Sequence, residues 1–444
     1  MLSRQLKLIL FIIVFLISGA LLFNAITRDI VYEKDYTGDL RNRVVGARLI
    51  SDGKSPYFYK WSADDGTRYY DPNSYGNATV SNITATPFFH QLLIPISAFP
   101  QSVVSKIWFC AEYLMLFTIV LVALSFCNST NQKMIVLLVS IAFLFTEAWK
   151  FHVFTGQMYL TIAFLFSLFI FFFNRARTGI DYFCCGILAA SVILVRPNFI
   201  VFFIPFIFLL PQLKVKPVLI LLLPGIIGML FILTSSFQRQ LWSDFFSAVK
   251  IHTQIHQGQS VDTVTYTSSL KYKEWEGINM KNASTITPDM KNFPRSENGN
   301  FFVLVKVFLH KKIGPSGLLI TSSLLLLILS CVFYYLTKKT RPTMNDIIIL
   351  ACLGFCFYMV TDLFSPIYRH QYYTLQWVAP VLLFFSISKI KTDWKFMLII
   401  CSGIILNMLN IPVIKMEHTI GEYLVLCTLL LYSFVYFKRK KVES

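Results

Sequence analysis

A chain of 444 residues with 55% apolar and only 14% charged side chains falls well short of the roughly 25% charged usual in soluble domains. So much apolar surface cannot be hidden inside a water-soluble fold of this length, which excludes that class. A net charge of +17 would ordinarily raise nucleic acid as a partner. Here the cations sit in short clusters between apolar blocks, such as Lys338-Lys339 with Arg341 and Lys438-Arg439-Lys440-Lys441. That is the positive-inside pattern of cytoplasmic loops, so the expected surroundings are membrane lipids and no nucleic acid.

In chain order, Arg4 and Lys7 precede an apolar run, Leu8 to Ile26, that is longer than the core of a secretion signal and lacks a cleavage site. It reads as a retained first span. Further spans are expected over residues 103–127, 133–149, 157–173, 180–195, 198–210, 214–234, 314–336, 345–364, 372–388, 395–411 and 419–437. With the first over 7–27, this makes about twelve, each close to the 20 or so residues that cross a bilayer. The segment 198–210 is short for the task. With a cytoplasmic N-terminus, an even number of spans puts every cationic cluster and the C-terminus in the cytoplasm. The two long loops, 28–102 and 235–313, then lie outside. The expectation is one polytopic all-α membrane domain, 1–444, in a bacterial inner membrane with its working face toward the periplasm.

Within the first loop, Asp39 to Asp52 has helical apolar spacing, stops at Gly53 and is expected to lie with its apolar face against the membrane surface. Thr86 to Phe99 is apolar but too short to span, and it reads as a helix on the membrane surface, as does Phe301 to Lys312 in the second loop. Residues 252–300 are polar and rich in Ser, Thr, Asn and Lys. All nine cysteines fall in or at the ends of apolar segments, so no disulfide framework is available to the long loops. Four Asn-x-Ser/Thr sequons occur, at Asn77, Asn82, Asn128 and Asn282, while Walker loops, GxGxxG and HExxH are absent.

Ionisable groups inside a bilayer are costly and therefore mark candidate sites. Glu112, Glu147 and Asp362 lie in expected spans, and Lys150, His152, Gln157, Arg196, Arg369 and His370 lie in short outer connections. Polar groups thus gather at the outer face, where interface snorkelling is the plain alternative. A one-sided cluster suits chemistry on a lipid-borne substrate, whereas a transporter would place such groups at mid-membrane.

Several segments resemble glycosyltransferase family 87. Asp39-Leu-Arg-Asn-Arg-Val-Val-Gly-Ala-Arg-Leu-Ile-Ser-Asp-Gly53-Lys-Ser-Pro56-Tyr57 is similar to that family's first outer loop, in which an acidic residue is followed by an amphipathic helix, Gly and Pro-Tyr. Thr86-Pro87-Phe-Phe-His-Gln-Leu-Leu resembles its Tyr-Pro-Pro-Leu helix without the second proline. Gly156-Gln157, Ile193-Leu-Val-Arg196-Pro197 and Tyr368-Arg-His370-Gln-Tyr-Tyr resemble its Gly-Gln, basic-Pro and His-x-Tyr motifs. The second long loop departs from the family, lacking its Asn-Gln-Ser.

The resemblance implies a GT-C-like fold with juxtamembrane helices in two large non-cytoplasmic loops. It also implies an enzyme that moves a sugar from a polyprenyl-phosphate donor to a lipid or glycan acceptor, with no cofactor and no metal. On that reading Asp39 is the general base, with Asp35 and Asp362 in reserve. Arg196, Arg369, His370 and Lys150 would hold the donor phosphate, and Gln157, Tyr57, Tyr372 and Glu147 would line the cavity. Asp39 could equally cap the helix it opens, and Tyr57, Pro56 and Gly53 could be turn and packing residues. Other readings of the chain are a polymerase or ligase of lipid-linked polysaccharide, and a flippase or transporter for such lipids.

Overall fold

The computed structural model describes residues 4–35, 37–71, 80–81, 83–257, 274–279, 299–339, 341–408 and 416–443. The sequons at Asn77, Asn82 and Asn282 and most of the polar stretch 252–300 lie outside them. The chain begins with α1 (Arg4–Asp35), α2 (Gly38–Ser51), α3 (Pro87–Ser97) and α4 (Gln101–Ser125). Next come α5 (Thr130–Leu144), α6 (Glu147–Thr155), α7 (Tyr159–Arg175) and α8 (Gly179–Val195). Two 3-10 helices, Pro197–Phe203 and Pro205–Gln212, lead to α9 (Val215–Thr234) and α10 (Ser236–His256). After a small hairpin, β1 (Glu274–Trp275) and antiparallel β2 (Ile278–Asn279), come α11 (Phe301–Leu309), α12 (Pro315–Thr337) and α13 (Ile347–Leu363). A 3-10 turn, Gln371–Trp377, opens α14 (Val378–Ile387), and α15 (Ile390–Met408) and α16 (Glu417–Glu443) end the chain.

Among the described residues six helices are long and apolar enough to cross a membrane: Leu8–Val31, Gln101–Ser125, Val215–Thr234, Pro315–Thr337, Met344–Leu363 and Glu417–Val442. The pair α5 and α6, bent by 57°, makes a seventh if it counts as one broken span. The remaining expected spans also fall on helices, but on shorter or more polar ones. With 17 residues each, α7 and α8 reach about 26 Å at 1.5 Å per residue, a little less than the roughly 30 Å hydrocarbon core. The stretch after Arg196, counted as a span although short for one, is wound as 3-10 helix. Its 3-10 winding rises about 2 Å per residue, so from Pro197 to Gln212 it covers nearly the distance of a longer α-helix.

Packing sorts these helices. Every residue of α13 except Thr361 is buried, as are nine of the ten in α14, all but Ile387. An all-round apolar sequence such as theirs belongs at the centre of a bundle. By contrast α9 has no buried residue and lies at the periphery.

Contacts between connections divide the molecule into two ends. Lys440 Nζ and Tyr436 Oη reach Asp346, Gln132 Nε2 donates to Ser388 O at 3.2 Å, and Arg175 lies over the Phe126 ring. These are the cationic linkers. The first and second long loops meet at the opposite end, where His252 Nε2 lies 3.0 Å from Ser81 O, and Gln257 Nε2 there donates to Pro366 O of the connection after α13 at 2.7 Å.

Two expectations about the long loops need correction. Far from lying on a surface, α2 is buried at every position from Gly38 to Ile50 except Asp39. Its arginines can be buried because each is matched. Arg48 Nε donates to Ser97 O at 2.8 Å and Arg41 Nε to Tyr70 O at 2.7 Å, and both guanidiniums grip Glu276. The second is an omission, α10 at the start of the second long loop, where no helix was read before Phe301. Its buried residues Leu241, Phe245, Ala248 and His252 repeat at helical spacing, a stripe that the polar composition around it obscured.

Candidate functional site

The site is built around Asp39, in the first turn of α2. The residue before the helix, Thr37, makes no side-chain cap, and the Asp39 carboxylate is directed across to the α6–α7 turn, where it accepts a hydrogen bond from Gln157 Nε2. A capping role is therefore not the main use of this side chain. The other end of the Gln157 amide, Oε1, accepts from Arg43 Nη2 at 2.6 Å, and Arg43 Nη1 donates to Asp39 O at 2.5 Å. With one partner for each end, the amide has a single sensible orientation.

Gly156 makes this reach possible. It ends α6 in the left-handed conformation, φ 68°, and a Cβ there would sit 2.5 Å from Leu40 Cβ. Only glycine both adopts that φ cheaply and lets the turn approach α2 so closely.

Asp39 keeps an open edge, yet protein surrounds the rest of it. Burial raises its pKa above the ordinary carboxylate value, opposed by the charges of Arg43 and His370. A carboxylate shifted in this direction is a better proton acceptor near neutral pH.

Beyond Asp39 an aromatic seam runs across the end where the long loops meet. His370 stacks on Tyr372 with centroids 5.3 Å apart, and Tyr372 stacks on Phe151 and Tyr159, each at 5.6 Å. Tyr159 meets Tyr373 at 3.8 Å, and Arg196 lies over both rings. From there a chain of charges continues inward. Asp362 receives Arg196 and, at 2.8 Å, Arg369 Nε. Both terminal nitrogens of Arg369 go to Glu422, which also accepts from Trp377 Nε1 at 2.7 Å and Thr374 Oγ1 at 3.2 Å.

The expected site residues divide accordingly. Asp39, Gln157, His370, Tyr372 and Arg196 come together along this seam. Arg196 has 23% of its side chain exposed, and its Nε has no hydrogen-bond partner among the described residues. Arg369 does not suit phosphate binding, because it is buried and its guanidinium is committed to two carboxylates. Asp362 is a poor reserve base for the same reason, its two oxygens being taken by the guanidiniums of Arg196 and Arg369.

Tyr57 is a packing residue, not a cavity wall. It has no exposed surface, its hydroxyl donates to Ala85 O at 2.9 Å, and it packs with Val45, Leu49 and Phe245. Lys150 and Glu147 pair with each other at 2.6 Å. Asp35 is the last residue of α1, and its side chain lies outside the described set.

Sequence reasoning passed over Arg43, Glu276 and Glu422. Glu422 stands in an apolar run within an expected span, so the rule that marked Asp362 also marks it. Nothing local marked Glu276, whose partners are 235 and 228 residues away. Among the described residues no three His, Cys, Asp or Glu side chains gather as a metal set. Compared with known proteins, the chain matches no family model, no curated protein and no solved structure.

Proposed function

We propose that this chain is a membrane glycosyltransferase of the GT-C type, with twelve spans, both termini in the cytoplasm and both long loops outside. It moves a sugar, mannose or another hexose or pentose, from a polyprenyl-phosphate carrier to a lipid-linked or glycan acceptor at the non-cytoplasmic face of a bacterial inner membrane. The observation that carries this reading is the Asp39 carboxylate, oriented by Gln157 and left with an open edge beside Arg43 and His370. The motifs that resemble glycosyltransferase family 87 supply the class of chemistry.

In this mechanism Asp39 takes the proton of the acceptor hydroxyl as its oxygen attacks the anomeric carbon. The bond from that carbon to the phosphate oxygen breaks, and the electron pair leaves with the polyprenyl phosphate. Arg196 donates to the departing phosphate, where a charge-assisted bond in a water-poor site is strong. The protein supplies the cation, so the step is written without a metal.

The test is to incubate reconstituted protein with a panel of radiolabelled polyprenyl-phosphate sugars and extract the lipid products, comparing wild type with Asp39→Asn. Asn keeps the size of the side chain but cannot take the proton, so transfer should fall by about 10²- to 10⁴-fold with donor binding intact. Turnover by Asp39→Asn above about a tenth of wild type lies outside that range and refutes the assignment. Products longer by many units point to a polymerase, and donor that crosses the bilayer unchanged points to a transporter.

A further inference from the structure

Gln157, which orients Asp39, is itself held by a bracket that starts on the preceding helix. His152, on α6 and with no exposed surface, serves the α6–α7 turn at three points. Its backbone oxygen accepts the N–H of Gly156 at 2.9 Å and that of Gln157 at 3.1 Å. Its ring Nε2 accepts the N–H of Leu160 at 3.2 Å. An imidazole nitrogen that accepts must carry the lone pair, so the neutral ring has its proton on Nδ1. That nitrogen lies 3.0 Å from Glu112 Oε1 on α4, a close polar contact whose angle is not that of a hydrogen bond, and the same oxygen accepts Trp108 Nε1–H at 3.1 Å.

A buried His–Glu pair can serve only to clamp two helices. Here, however, the bonds from the ring and from the backbone of one residue converge on the turn whose next side chain grips Asp39. We propose that His152, packed against Glu112, is a positioning residue for Asp39, fixing the turn and with it the amide that holds the carboxylate. The proposal rests on the reading of Asp39 as general base and adds the structure that aims it.

The groups facing Asp39 are Gln157 from the turn, Arg43 from its own helix and His370 from the loop after α13. Those facing His152 are Glu112 from α4 and the charge of Arg43 from α2. If the bracket is lost, Arg43 and His370 remain but the Gln157 bond to the carboxylate weakens. A carboxylate that loses a hydrogen bond to its charged form ionises at higher pH. The acidic limb of the pH–rate profile should therefore move up.

The experiment compares wild type, His152→Leu, His152→Gln, Glu112→Gln and Asp39→Asn as purified full-length protein. It reads kcat and donor KM across pH, together with amide hydrogen exchange of residues 156–160. In His152→Leu, kcat should fall about 10- to 100-fold, the scale of a misplaced catalytic group. Donor KM should stay near wild type, the acidic limb should rise, and exchange at 156–160 should quicken. His152→Gln, whose amide oxygen can take the Leu160 N–H, should restore most of this.

A His152→Leu enzyme with the wild-type acidic limb overturns the proposal while leaving Asp39 as base if Asp39→Asn is inactive. An active Asp39→Asn overturns both. Should His152→Leu fail to fold, Glu112→Gln must show a smaller shift in the same direction, and an unshifted limb then counts against the proposal.

Discussion

Replacing Glu276 by Gln removes a negative charge that two buried guanidiniums share. Glu276 stands at the tip of the β1–β2 hairpin with φ 51°, followed by Gly277 at φ 84°, the pair of positive φ values that a tight hairpin turn demands. Its carboxylate receives Arg41 at 2.8 and 3.1 Å, Arg48 at 2.8 and 2.9 Å, and the backbone N–H of Gln101 at 3.0 Å. Its backbone oxygen accepts Ser102 N–H at 3.2 Å, so the hairpin also caps the start of α4. Stripping one partner from a buried ion pair costs about 3–5 kcal/mol. Since 16% of the Glu276 side chain remains exposed, the lower figure applies, about 3 kcal/mol or roughly 100-fold in the docked-to-undocked ratio. Hydrogen exchange in detergent-purified protein measures this directly, because the Gln101 and Ser102 amides lose their acceptors when the hairpin leaves. Their protection should fall by about two decades in Glu276→Gln. Burial works against ionisation of Glu276, but the bonds from Arg48 and Arg41 outweigh it and hold the pKa at about 2, down from 4.5. The sign follows: docking is fully supported above pH 4.5 and weakens as the pH falls toward 2. Unchanged protection in Glu276→Gln, at neutral pH, would refute the view that this carboxylate holds the two loops together.

Other substitutions separate structure from chemistry. Gly156→Ala forces a side chain into a left-handed turn against Leu40, and strain plus overpacking should cost about 2–4 kcal/mol, read as a lower midpoint of thermal unfolding in detergent. Arg369→Met leaves Asp362 and Glu422 buried without their shared cation, so the yield of folded protein should collapse, on the scale of about 3–5 kcal/mol. Arg196→Met should instead fold, since Asp362 keeps Arg369, and lose transfer, with Lys rescuing only in part because it lacks the planar fork. Size-exclusion profiles and donor turnover of the two variants check the contrast. Transfer should persist after thorough chelation, and full loss in EDTA reversed by one divalent ion would overturn the metal-free mechanism.

What the sequence made legible follows the range of the interactions. The helix from Gly38 to Ser51, its stop at Gly53, and the short helix after Thr86 rest on local periodicity and capping, and they were readable in advance. Thr86 accepts the Phe89 N–H as a cap should. The burial of α2 was not readable, because three arginines in fourteen residues look like a solvated face until Glu276 and the carbonyls of Tyr70, Ser97 and Phe99 are found opposite them. The same holds for Arg369. An isolated cation in a short outer loop suggests a ligand, and only the folded chain brings Glu422 to it from 53 residues away. Gly156-Gln157 lay between these cases. The dipeptide stood out as a motif, but its reason, a close crossing over Leu40 that aims an amide at Asp39, is tertiary.

The joining of the two loops also bears on how the chain is made. Arg41 and Glu276 are separated by 235 residues, and ribosomes add about 5–20 residues per second. The guanidiniums of α2 therefore emerge roughly 10–50 s before the carboxylate that neutralises them has been synthesised. Through that interval α2 cannot settle into its buried place without leaving two cations uncompensated, a cost that keeps it hydrated at the membrane surface. The amphipathic spacing that made α2 look like a surface helix thus suits the wait that this order of synthesis imposes. The Asp39 carboxylate therefore reaches its finished setting only after α9 and α10 have been made.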